Sequence, residues 1–313
     1  MIEKDLPLVS VIINCYNGEQ FLKSAINSVI IQSYQRWEIV FWDNCSTDNS
    51  ALILSSFKDE RIKYFLSPYH TSLGEARNMA LEKASGEYIA FLDTDDLWFD
   101  DFLLKAIRAF QKNDISVFYS NYYQFNNKSR RVNNLRKYSR LENFSDILSE
   151  YHIGMSASMI DYGFLKKSGI CFNNNYSLIE DYDLYLRIAY LKPIYYCSEV
   201  LALYRMHSFS LTMQSKNGWG KELSMLYSYL VNTLLSKEDI YKNKKSLKWL
   251  KVRSANAYIS EAIEKNDRRN VLKLVLKNCG LSAKLLFHLV YFFGGKRFYY
   301  KCLYYVRRKN YYI

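Results

Sequence analysis

The chain has 313 residues, 49% of them apolar, with 43 Lys and Arg against 31 Asp and Glu for a net charge of +12. That length and apolar share suit one large domain, or a domain with an appendage, around a sizeable core, which sets a disordered or fibrous chain aside. The positive excess fits nucleic acid, an anionic membrane surface or a phosphorylated substrate without choosing among them.

The opening M-I-E-K-D-L-P is acidic and runs straight into a strand, and no apolar run reaches the ~18 residues that span a bilayer. A cytoplasmic protein is therefore expected. Cys15, Cys45, Cys171, Cys197, Cys279 and Cys302 are scattered without a C-x-x-C, which points to reduced thiols and not to a zinc site or a disulfide framework.

From Val9, β-rich runs alternate with segments of helical period: V-S-V-I-I-N, E-Q-F-L-K-S-A-I-N-S-V-I, W-E-I-V-F-W and S-A-L-I-L-S-S-F come first. I-K-Y-F-L, L-G-E-A-R-N-M-A-L-E-K-A, Y-I-A-F-L, D-F-L-L-K-A-I-R-A-F and S-V-F-Y-S continue the series. Such alternation predicts an α/β fold with a mostly parallel sheet and helices on both faces. In sheets of this kind ligands bind beyond the carboxyl ends of the strands, where Asn14, Asp43 and Asp93 fall. Residues 122–145 are polar, basic and weakly periodic, and read as an irregular insertion, a lid or a solvated loop. Beyond Ser215 the pattern is helical, so a domain over 1–215 and a helical region over 216–313 are expected. The last stretch, G-G-K-R-F-Y-Y-K-C-L-Y-Y-V-R-R-K-N-Y-Y-I, interleaves aromatic and basic residues as membrane-surface helices do; oligomer contacts or a helical cap fit it too.

Neither G-x-G-x-x-G nor G-x-x-x-x-G-K-[ST] is present, so a bound diphosphate needs another source of neutralisation. F-L-D-T-D-D-L-W-F supplies Asp93 and Asp95 as a D-x-D at a strand end, a spacing that suits Mg²⁺ or Mn²⁺ shared with phosphate oxygens. The alternative is that Thr94, Asp95 and Asp96 cap the helix starting near Asp101. In S-L-I-E-D-Y-D-L-Y-L-R-I-A, helical spacing puts Asp181 on the face of Leu184, Tyr185 and Ile188, with Glu180, Asp183 and Arg187 on the other side. An inward Asp181 reads as a general base or as an N-cap. Arg77 shares a face with Ala80, Leu81 and Ala84, where its partner is a phosphate or a structural carboxylate. His207, after a strand-like run, reads as a third metal ligand, a phosphate donor or a structural residue.

Taken in order, V-S-V-I-I-N-C-Y-N, W-D-N-C-S-T-D-N-S, G-E-A-R-N-M-A-L, G-E-Y-I-A-F-L-D-T-D-D and E-D-Y-D-L-Y-L-R resemble glycosyltransferase family 2 of the bacterial surface-polysaccharide type, over about residues 8 to 210. The resemblance implies a GT-A fold, a nucleotide-sugar donor, a divalent metal (Mn²⁺ or Mg²⁺) and inversion at the anomeric carbon. It also implies a hexosyl transfer to a saccharide or lipid-linked acceptor, and a site on the inner membrane surface. Carried over by residue, it makes Asp95 the direct metal ligand with Asp93 beside it, Asp181 the base and Arg77 a nucleotide or diphosphate contact. Where the family often reads D-D-G-S-x-D, this chain has Asp43-Asn44-Cys45-Ser46-Thr47-Asp48. Asn44 then faces the base in place of a second aspartate, with UDP first and dTDP or GDP open, Asp43 is a further base-side candidate, and Asp48 caps the next helix. Two rival classes, a nucleic-acid-binding protein and a sugar nucleotidyltransferase, explain the charge or the paired aspartates but not the full set of motifs. No nucleic-acid partner is expected.

Overall fold

The computed structural model describes residues 6–126, 129–133, 136–208, 210, 217–278, 288, 289, 291, 294–296 and 299. The chain divides into two compact units, residues 1–210 and 211–313. Most of the basic aromatic tail lies outside the described residues.

The first unit begins β1 (Val9–Cys15), α1 (Glu19–Ile30), β2 (Trp37–Asp43), α2 (Ser50–Ser55), β3 (Ile62–Leu66), α3 (Leu73–Leu81) and β4 (Tyr88–Phe91). It continues with β5 (Leu97–Trp98), α4 (Phe102–Lys112), β6 (Val117–Phe125), β7 (Arg130–Val132), β8 (Arg140–Glu142) and α5 (Phe144–Ser149). β9 (Ser158–Asp161), α6 (Tyr162–Ser168), α7 (Glu180–Leu191) and β10 (Ile194–Arg205) complete it. These strands form one sheet in the order β3-β2-β1-β4-β9-β6-β10-β5, with β7 on β6 and β8 on β10.

The period of two along β1 decides its faces: Val9, Val11, Ile13 and Cys15 enter the core with Leu22, Ala25, Ile26 and Val29 of α1 and with Phe102, Leu103, Ala106 and Ile107 of α4. Each such side chain contributes roughly 1.5–3 kcal/mol by leaving water. The buried residues of α3 and α6 stay outside this cluster and lie against β1, β2, β4 and β9. Gly86 passes so close to β1 that a Cβ there would sit 2.6 Å from the Ser10 nitrogen, so no larger residue fits before β4.

The parallel order expected from the strand–helix alternation holds over β3-β2-β1-β4. Beyond it the sheet is mixed: β9 runs antiparallel to both β4 and β6, while β6 and β10 are parallel. The 122–145 stretch is not simply irregular. β6 runs on to Phe125, β7 folds back antiparallel on it, and β8 joins β10, because the Tyr, Phe and Val among its polar residues favour strand.

The second unit is helical where it is described: Trp219–Tyr229, Lys237–Lys242, Lys244–Glu264 and Arg268–Asn278. Val252, Ala255, Ile259, Ile263, Val271, Val275 and Tyr291 form its core. Ser236 and Asp239 cap the second of these helices reciprocally, each side chain reaching the other's backbone N–H.

Candidate functional site

Five strand ends and helix starts of the first unit supply the polar side chains. At the end of β4 the chain turns sharply, the Asp96 N–H donating to the Asp93 carbonyl at 3.1 Å. β5 then pairs antiparallel with β10, Leu97 opposite Leu203 and Trp98 opposite Ala202. That pairing carries residues 205–207 back over the turn, and His207 Nε2 lies 2.7 Å from Asp95 Oδ2. Arg205 ties the two segments together: its N–H donates to Asp96 Oδ1 at 2.9 Å and its Nε to the Asp95 carbonyl at 2.8 Å.

Asp96 is thus not a helix cap. It is buried at 1% exposure, its Oδ2 has no hydrogen-bond partner among the described residues, and α4 begins at Phe102 behind Asp101 without a side-chain cap. Burial, and then the neighbouring Asp95 and Asp93, push its carboxyl well above the ordinary range. The Asp95 carboxyl is raised too, by burial and by Asp93, with His207 pulling the other way.

Arg77, on α3, is buried, and its guanidinium lies between two carboxylates: Nη1 donates to Glu180 Oε1 at 3.0 Å and Nη2 to Asp93 Oδ1 at 3.3 Å. Burial opposes its charge, but Asp93, Glu180 and Asp181 outweigh that and raise its proton affinity. Of the two partners the sequence leaves open for Arg77, the structure shows the carboxylates, and this ion pair joins α3, the turn after β4 and α7. Asn78 reinforces the joint, exchanging two hydrogen bonds of 2.9 Å with the backbone of Phe172.

At the start of α7 Asp181 lies among Tyr151, Tyr185 and Arg77 on the inward side as expected, but Glu180 and Asp183 are not on a solvent face. Glu180 and Asp183 are buried at 5% and 0%, paired with Arg77 and Arg187, and Asp181 is the one left partly exposed. A helix wrapped by protein on nearly all sides has no polar face to spare, so ion pairs replace it. Burial pushes the Glu180 carboxyl up to about 7. The Asp181 carboxyl is raised by burial, which the Tyr151 hydroxyl and Arg77 partly offset. A partly accessible carboxylate with enhanced proton affinity is equipped to act as a base.

The ends of β1 and β2 form the other half of the site. Asp43 accepts from Ser46 N–H at 2.7 Å and from the Tyr64 hydroxyl at 2.9 Å. Asn44 does not present its amide: Nδ2 donates to the Thr71 carbonyl at 2.9 Å, and Oδ1 accepts from Thr71 N–H at 3.1 Å and Oγ1 at 3.0 Å. These bonds fasten Asn44 to the Thr71 segment. Asp48 bridges two helix starts, accepting from Ser50 N–H at 3.0 Å and Glu19 N–H at 2.9 Å. Asn14 is partly buried at the end of β1 with Nδ2 unpartnered.

Sequence reasoning missed Arg205. Its guanidinium sits 4.3 Å from the Phe21 ring centroid and 4.6 Å from that of Phe125. With Nε on Asp95, neither Nη has an acceptor among the described residues. The run Y-R-M-H held the signal, since an Arg two residues before a His of interest shares its side of an extended chain. For a metal, the donor set fits: Asp93, Asp95 and His207 offer hard oxygens and an imidazole at one turn, and Mg²⁺ or Mn²⁺ takes one or two carboxylates with phosphate and water. Among the described residues no group of three or more His, Cys, Asp or Glu side chains stands close enough together to hold a metal ion, and Asp93 Oδ1 is paired with Arg77, so the fit is one of donor chemistry alone.

A family model described as glycosyl transferase family 2 matches residues 10–169. WfgD of Escherichia coli, named as a UDP-Glc:alpha-D-GlcNAc-diphosphoundecaprenol beta-1,3-glucosyltransferase, is 32% identical over 229 residues, 72% of this chain and 88% of that protein. TuaG of Bacillus subtilis, named for teichuronic acid biosynthesis, is 31% identical over 218 residues, 68% of this chain and 83% of its own. Among solved structures, S. aureus TarS in complex with UDP-GlcNAc has a TM-score of 0.66 at 20% identity, over 90% of this chain and 80% of that one. The mannosyltransferase PcManGT from Pyrobaculum calidifontis, solved with GDP-Man and Mn²⁺, has a TM-score of 0.58 at 15% identity, over 94% and 89%. The fold is the GT-A arrangement, a central mixed sheet between helices. With the family model spanning half of its length and a relative matched across most of both chains, this protein belongs to glycosyl transferase family 2 and is a glycosyltransferase.

Proposed function

We propose that the enzyme moves a hexose from a UDP-sugar to a hydroxyl of a lipid-linked saccharide in surface-polysaccharide assembly, with inversion at the anomeric carbon. The observation that carries this reading is Asp181, a largely buried carboxylate of raised proton affinity at the start of α7, within the electrostatic reach of Arg77 and Asp93. Asp181 takes the proton of the acceptor hydroxyl while that oxygen attacks the anomeric carbon from the face opposite the diphosphate. Arg77 does not touch the donor in this scheme; it holds Glu180 and Asp93 so that α7 and the turn after β4 keep their spacing. Arg205 offers its free Nη atoms to the departing diphosphate, and a bidentate fork suits phosphate oxygens.

Asp95, Asp93 and His207 would hold a divalent ion. When bound, such an ion offsets the charge that develops on a leaving phosphate. On the base side, Asp43 and Asn44 at the end of β2 are the candidate contacts, each held in place by hydrogen bonds within the chain. UDP as donor is supported by the UDP-Glc in the name of WfgD and by the UDP-GlcNAc complex of TarS. The diphosphoundecaprenol in the name of WfgD supports the lipid-linked acceptor, and work at the inner membrane surface is part of this proposal.

Asp181→Asn tests the assignment. It should lower transfer by at least about a thousandfold, in line with loss of a general base together with its charge. Thermal stabilisation by UDP with Mn²⁺ should stay within about a degree of the wild type, since Asn keeps the shape. Substantial residual transfer would remove Asp181 from the role.

A further inference from the structure

The net charge of +12 is not spread over the chain. Residues 211–313 carry 21 Lys and Arg against six Asp and Glu, and residues 1–210 carry 22 against 25. The whole positive excess therefore belongs to the second unit. Within its described part most of the exposed basic residues fall in two groups, Lys265 to Lys277 with Glu264 and Asp267 beside or among them, and an earlier group on one helix face with no acidic residue in it. Along the first two turns of Lys244–Glu264, Leu247 and Leu250 turn inward, whereas Lys244, Lys245, Lys248, Trp249 and Lys251 are exposed; the buried Val252 ends the exposed face. At 100° per residue these five span a single side of the first two turns. The preceding helix, Lys237–Lys242, adds Tyr241 at 80% exposure and Lys242, and Trp249 itself is 41% exposed.

We infer that this face, from Tyr241 to Lys251, docks on an anionic lipid bilayer. Charge complementarity argues for that occupant: five exposed lysines (242, 244, 245, 248 and 251) face outward and no Asp or Glu lies between residues 240 and 260. Trp and Tyr rings with an apolar body and a polar tip settle at the headgroup level, and lysine stems reach past them to the phosphates. Among the described residues no helix is long and apolar enough to cross a membrane, so attachment through these residues is to the surface. The docking goes beyond the transfer reaction and rests on the proposed lipid-linked acceptor only for its use.

The test is flotation of the full chain with vesicles of phosphatidylcholine alone or with phosphatidylglycerol added. Binding should require phosphatidylglycerol and weaken as salt is added. Each lysine near an anionic surface accounts for about fivefold in partitioning, so Lys244→Gln with Lys245→Gln and Lys248→Gln should lower it by about a hundredfold. Tyr241→Ser should lower it several-fold without any change in charge. Hydrolysis of a UDP-sugar by the triple variant should match the wild type, which separates failure of docking from failure of the transferase reading. Equal binding to both vesicle types, wild-type flotation of the triple variant, or tighter binding to duplex DNA than to vesicles at the same salt would each overturn the inference.

Discussion

Arg77 and Arg205 show how burial divides the work between two like residues. Arg77 is enclosed with its carboxylates, so removing it strands Asp93 and Glu180. Arg77→Met should cost about 3–5 kcal/mol of stability, seen as a large drop in melting temperature. Arg205 is partly exposed with free donors, so Arg205→Ala should leave the melt within a few degrees and lower kcat by about a hundredfold or more, the scale of losing one charge-stabilising donor. A melt that falls as far as that of Arg77→Met, with kcat intact, would make Arg205 structural. Cys45 is a second instance of local cost. Its φ of 66° is left-handed, at the position where the family's D-D-G-S pattern has glycine. A side chain there costs about 1–2 kcal/mol, partly offset by the entropy that glycine loses on folding. Cys45→Gly should therefore stabilise the protein by up to about 1 kcal/mol, measured by denaturant unfolding.

Elements differ in how plainly the sequence announces them. β1, α1 and α4 have periods of two or 3.6 and sit where those periods predict, and β2 is the unbroken apolar run of a strand buried on both faces. α7 misleads because a helix enclosed on most sides carries ion pairs where an amphipathic helix has a solvent face, so Glu180 and Asp183 look exposed on paper. β9 was absent from the strand–helix series because S-M-I-D is four residues long and its antiparallel pairing depends on partners far off in sequence. The aspartates of the D-x-D were legible as a spacing. Their link to His207 was not, since it depends on β5 pairing with β10, more than a hundred residues away. In the second unit, His288 sits on the helix Lys244–Glu264 through Asn256 Oδ1, 3.0 Å from Nε2, and the Tyr299 hydroxyl is 2.9 Å from Nδ1. Burial lowers its pKa from 6.5 to about 4. Between those values the unfolded chain binds a proton that the folded one does not, so stability is full above 6.5 and is lost as pH falls toward 4. The loss should reach on the order of 3 kcal/mol. His288→Gln should flatten that slope in urea unfolding measured at a series of pH values; an unchanged slope would place its origin elsewhere.

At the scale of the whole molecule, a first unit with a slight negative excess carries the chemistry and a second carries all the surplus positive charge. Opposed charge budgets in one chain give the two jobs different sensitivities to salt. Raising ionic strength from about 0.1 M to about 1 M shortens the screening length from about 10 Å to about 3 Å, which removes the attraction of exposed lysines to a charged surface. The carboxylates and the arginine at the reaction centre are partly or wholly buried and are screened far less. Transfer to an acceptor embedded in phosphatidylglycerol vesicles should therefore fall about tenfold or more over that range, through a rise in KM. Transfer to a short-chain analogue of the same acceptor in free solution should change by less than about twofold. Parallel losses for the two acceptors would locate the salt sensitivity in the proposed donor site around Arg205, and would separate the basic unit from any part in presenting the acceptor.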